Sequence, residues 1–94
     1  MKKQEHFYAV YLDASKKIIS DKLLFIGTVN QSIVHPRNVF KEACLLDASC
    51  IICVHNHPSN NVIPSKEDLS LTKNLIEIGK LFGIPVIDHI IVGQ

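Results

Sequence analysis

The sequence predicts an α/β domain: a mixed β-sheet with helices packed on its faces, in the order β-β-α-β-α-β. Three observations predict it. Four short runs rich in aromatic and β-branched residues read as strands. Two longer stretches repeat apolar residues at helical spacing, and turn-forming residues stand at the boundaries. Ninety-four residues is the size of one domain. A chain this short buries about 60–65% of its unfolded surface, so one modest core must hold it.

His6–Leu12 opens the order as a strand, and Asp13–Lys17 is a polar turn. Ile18–Val29 pairs back on it, with Gly27 as an expected bulge or bend. His35-Pro36-Arg37 reads as a helix entry, because a proline early in a helix forfeits only a donor that has no partner. Val39, Phe40, Ala43, Cys44, Leu45 and Leu46 carry helical spacing up to Ala48. Cys50–His55 is continuously apolar and reads as a central strand. A Pro-, Ser- and Asn-rich loop follows from Asn56 to Pro64. The second helix runs from Ser65 to about Phe82, with Leu71, Leu75, Ile78 and Phe82 as its buried stripe, and stops at Gly83 and Pro85. Val86–Val92 is the last strand.

Composition narrows the function classes. The chain is 47% hydrophobic and 20% charged, with a net charge of +1, as expected of a globular protein. Arg37 is its only arginine, and Lys16-Lys17 reads as a solvated turn. The concentrated basic face of a nucleic-acid binder is missing, so direct nucleic-acid contact is not expected. No run reaches the roughly 20 apolar residues of a membrane span, and Met1–Glu5 lacks a signal peptide's apolar stretch. The cytoplasm is the expected compartment. Three cysteines argue against a disulfide framework. Cys50 and Cys53 have C-x-x-C spacing, but residues three apart on a strand point to opposite faces. Both read as small core residues.

His55 and His57 sit two apart where an apolar strand runs out. Period-two geometry puts both rings on one face, able to converge on one ion. Two unrelated polar histidines fit the same spacing. Asp68 extends the buried stripe of the second helix toward its N-terminus, and an inward carboxylate needs a partner. Two histidines and a carboxylate with an open fourth position are the ligands of a catalytic zinc site. Ser65 and Asp68 equally fit an N-cap and its N3 acid. From the residues alone, both readings stand.

His55-Asn56-His57-Pro58, six further residues and Ser65-x-x-Asp68 resemble the JAMM motif of the JAB/MPN metalloproteases. The RadC-like branch is the most similar. That resemblance extends over Gly27-Thr28-Val29-Asn30, His35-Pro36-Arg37, Ser59, Pro64 and Ile84-Pro85-Val86-Ile87-Asp88-His89. It implies a JAB/MPN, cytidine-deaminase-like fold and a Zn2+ ion held by His55, His57 and Asp68. It makes Glu5 the general base and Ser65 the donor to the oxyanion. Physical reasoning alone does not choose Glu5 over Glu42, Glu67 or Glu77, although Glu67 should look away from the ion, about 100° round the helix. Asp88 and His89 belong to the family pattern and are candidates for a supporting layer round the ligands. Asn56 and Ser59 are expected to shape the loop, and His6 to sit at a strand edge.

The chain departs from the pattern at Asn60, where the family usually has Gly. It also lacks the N-terminal helical region of longer relatives and ends at Gln94, before their further C-terminal strand. It is therefore expected to be one domain over 1–94, truncated at that strand, with an exposed sheet edge. The leading expectation is a zinc-dependent peptidase or isopeptidase acting on a peptide or protein substrate. The alternatives are a DNA repair or recombination accessory factor of the RadC type and a non-catalytic interaction module. The retained ligand set speaks against the last.

Overall fold

Alternation along the first strand, β1 (Glu5–Leu12), sends Phe7, Ala9 and Tyr11 into the core, each at most 1% exposed. The arrangement comes from a computed structural model that describes residues 4–27, 34–57, 63 and 65–93. The other elements are β2 (Ile18–Gly27), α1 (Pro36–Leu46), β3 (Cys50–Asn56), α2 (Lys66–Phe82) and β4 (Val86–Val92). The expected order β-β-α-β-α-β is observed, as a mixed four-stranded sheet with two helices. The expected end of the second strand, at 28–29, and most of the 56–64 loop lie outside the described residues.

The strands lie in the order β2-β1-β3-β4. β1 is antiparallel to β2 and β3, while β4 runs parallel to β3. The parallel pair needs a crossover, and α2 supplies it. Ile51 and Cys53 of β3 share the inner face with β1's Phe7, Ala9 and Tyr11. Val39, Phe40 and Ala43 from α1 and Leu75 from α2 complete one core. The rings of Phe40 and Phe82 stack at 5.3 Å, joining the helices. Phe82 belongs to the stripe at its edge, since it remains 53% exposed. The Tyr11 hydroxyl donates to the Val39 carbonyl at 2.8 Å, satisfying a buried polar group. The outer face carries Tyr8, Leu23, Ile26, Ile90 and Val92, all exposed.

Several boundaries differ from expectation for identifiable reasons. β1 begins at Glu5, so that side chain enters the sheet. α1 stops at Leu46 because Asp47 takes the left-handed conformation (φ 55°) and its N–H caps the helix. The β2 irregularities fall opposite Phe7/Tyr8 and Tyr11/Leu12 rather than at Gly27. Cys50 and Cys53 are both buried, on opposite faces of β3 as period-two geometry requires. Burial pushes the Cys53 thiol up to about 12. Cys44, inside the expected helical repeat, is exposed.

α2 ends at Gly83, whose φ of 71° is left-handed. One turn earlier Gly79 is buried, and a Cβ there would stand 2.7 Å from the Ile84 carbonyl oxygen. Alanine ordinarily favours a helix over glycine, but here it meets backbone that cannot turn aside. Gly79→Ala is expected to destabilise by about 1–3 kcal/mol, read as a lower urea midpoint at unchanged slope.

Candidate metal centre

The site forms where β1, β3 and the start of α2 meet. β3 carries His55 on its inner face, directly opposite Phe7 of β1. His57, just beyond the strand, is held by its backbone N–H donating to the Val92 carbonyl at 2.8 Å. The two imidazoles meet edge to face, with ring centroids 5.0 Å apart. Asp68 approaches from the first turn of α2. It makes a capping box with Ser65: the Asp68 N–H donates to Ser65 Oγ at 3.1 Å, and the Ser65 N–H donates to Asp68 Oδ2 at 2.9 Å. That box fixes the rotamer pointing Asp68 inward, so cap and inward carboxylate are one arrangement.

His57 Nε2 lies 2.8 Å from Asp68 Oδ2, and His55 Nδ1 lies 3.2 Å from Asp68 Oδ1. His55, His57 and Asp68 each offer a ligand atom, all within 4.8 Å of one another. His55 and Asp68 are only 3% and 6% exposed. Burial alone would raise the Asp68 pKa. Hydrogen bonds from Ser65 backbone and side chain, with the charges of His55 and His57, outweigh it and hold the carboxyl below its ordinary value.

Glu5, also buried, places its carboxylate against His55 Nε2. A carboxylate oxygen accepts, so His55 donates from Nε2, which leaves Nδ1 as the ring atom turned toward Asp68. That Nδ1 is buried and, among the described residues, has no hydrogen-bond partner, yet it faces the Asp68 carboxylate. A cation satisfies both atoms out of water, whether it is a proton on Nδ1 or a metal ion between them. The donor set therefore fits a metal ion such as Zn2+.

Asn56 supports Glu5 from both sides. Its Oδ1 accepts the His6 N–H, and its Nδ2 donates to the Gln4 carbonyl at 3.3 Å. The fold divides the other residues of the motif. His89 faces the site, with its ring 6.1 Å from that of His55. Asp88 is exposed, pairs in register with Ile52 on the outer face, and accepts the N–H of His89. The sheet thus turns Asp88 away from the ligands. His35 is exposed at the start of α1 without a side-chain cap. Pro58, Ser59, Asn60 and Pro64 lie outside the described residues.

Thr72, which the sequence reading missed, joins the site to β4. Its hydroxyl donates to the Asp68 carbonyl at 2.8 Å and also contacts His89 Nδ1. One hydroxyl carries one proton, so His89 must donate from Nδ1 and keep Nε2 as a buried acceptor, unpartnered among the described residues. Burial, then the charge of His55, lowers the His89 pKa. The available signal was spacing: Thr72 stands one turn after Asp68 on the same helix face.

The RadC-like JAB domain model matches residues 1–94. The chain belongs to the RadC-like JAB family. This RadC-like domain is 54% identical over 91 residues to a UPF0758 protein of Geobacillus sp. (strain WCH70). UPF0758 proteins of Geobacillus thermodenitrificans (strain NG80-2) and Bacillus cereus (strain AH187) are each 53% identical over 91 residues. Each match covers 97% of this chain and 40% of the relative. The RadC-like domain thus spans about two fifths of the length of these relatives. None of its described helices is long and apolar enough to cross a membrane.

Proposed function

We propose that this domain is a zinc-dependent hydrolase cleaving an amide bond in a peptide or protein, as a peptidase or isopeptidase. The observation carrying the reading is the buried His55–His57–Asp68 cluster, with the Glu5 carboxylate against one of its histidines. Two histidines and one carboxylate leave a fourth position open, the donor set of catalytic rather than structural zinc. A zinc ion there would supply Lewis acidity, bringing the pKa of a water toward about 7 and polarising the scissile carbonyl.

The chain's own residues supply the rest. Glu5 takes a proton from the attacking water as its oxygen adds to the carbonyl carbon. It returns that proton to the amine as the C–N bond breaks. Ser65, exposed at the helix start, turns its hydroxyl to the oxyanion, a donor role worth about 10²–10³ in rate. Asn56 holds the backbone on both sides of Glu5 and so sets where the base stands. Thr72, on α2 itself, links the Asp68 turn to His89 of β4.

The direct test is zinc analysis of the purified domain beside hydrolysis of a mixed peptide library, read by mass spectrometry. Close to one zinc per chain and cleavage abolished by chelation are expected. A domain that takes up no zinc, or a loaded domain that cleaves no amide, would overturn the proposal.

A further inference from the structure

Beside the ligand cluster lies a cleft of about 240 Å³, lined by Phe7, Phe25, Val34, Leu71, His55, Asp68 and Glu67. Glu67, which stands apart from the three ligand residues, lines the cleft that His55 and Asp68 border. We infer that this cleft takes an apolar side chain of the substrate next to the scissile amide, with Glu67 disfavouring an acidic one. The inference rests on the hydrolase reading for its substrate, but the cleft itself belongs to the chain with or without an ion.

Three features support it. First, the cleft is continuous with the cluster, since two of the three ligand residues form part of its wall. A group seated there adjoins whatever bond is presented to the ion. Second, its volume is below the roughly 300–1,000 Å³ of sites that enclose drug-sized ligands, which suits one side chain. Third, apart from the ligand residues, four of its walls are apolar and the fifth is a carboxylate. Seating an apolar side chain removes apolar surface from water on both partners. An acidic side chain would instead bring like charge to Glu67 and lose its hydration.

Phe25 forms a wall because of Gly27. A Cβ at Gly27 would overlap the Phe25 ring, so a side chain there must push the ring from its place. The glycine, expected to mark a bend, makes room for the ring instead.

The probes are N-acetylated glycine, leucine, phenylalanine and aspartate, titrated into isotope-labelled protein with and without zinc and followed by NMR. Burying a leucine-sized side chain corresponds to roughly ten- to a hundred-fold in affinity. N-acetyl-leucine is expected to bind about ten-fold or more tightly than N-acetylglycine in both states, shifting Phe7, Val34 and Leu71. N-acetylaspartate should bind most weakly, and Glu67→Gln should raise its affinity several-fold. Leu71→Trp, filling the cleft, should erase the preference for leucine. Gly27→Ala should alter it by displacing Phe25, and stands in should Leu71→Trp not fold. Equal binding of all four probes, or a preference unchanged by these variants, would overturn the inference. A leucine preference in a protein that takes up no zinc would leave the cleft standing and sink the hydrolase reading alone.

Discussion

Asp68→Asn is expected to abolish zinc loading, taking the domain from about one ion per chain to nearly none, with all hydrolysis lost. Asparagine keeps the shape and an oxygen able to accept the Ser65 N–H, but it brings no charge to the ion. The second consequence is in the metal-free protein, where Asp68 also closes the helix cap. Weakening such a cap costs about 0.5–2 kcal/mol. The pH dependence follows from the lowered pKa. A carboxylate whose folded pKa is depressed stabilises fully above its unfolded value, near 4. That contribution is lost as pH falls through the lower folded value. Urea melts of the metal-free variant should therefore show a flatter acid limb than wild type. Full zinc content in Asp68→Asn would remove Asp68 from the ligand set.

Glu5→Gln separates the base from the ligands. Glutamine fills the same space and can still accept from His55 Nε2, so zinc content should match wild type. It cannot take a proton from water, and kcat should fall by about 10²–10⁴ with little change in KM. Steady-state kinetics of the zinc-loaded variant beside metal analysis checks both halves. Retained activity would take the base role from Glu5. Lost zinc would assign Glu5 to holding His55 instead, since the two side chains touch.

Much of the fold was legible because it rests on local signals. Aromatic and β-branched runs marked the strands, Pro36 and Gly83 marked helix ends, and H-x-H with S-x-x-D marked the cluster. Misplaced details depended on neighbours distant in sequence. Gly27 does not mark a bulge, because the Phe25 ring, not a backbone bend, needs its small size. Asp88 and His89 looked equivalent as a pair, but adjacent strand residues point to opposite faces, and pairing with β3 decides which one meets the ligands. Helix geometry set Glu67 apart from the ligands, but it did not show that Glu67 would line the cleft beside them.

The sequence by itself determined the element order, the family and the chemistry the ligand set can support, since these follow from residue type and spacing along the chain. Only the tertiary structure decided that Glu5 is buried against His55, which of Asp88 and His89 faces the centre, and where the cleft opens. Those answers depend on the register of β1 and β4 against β3 and on how α2 lies across the sheet. Distances between residues dozens of positions apart set that packing, and no local pattern records it.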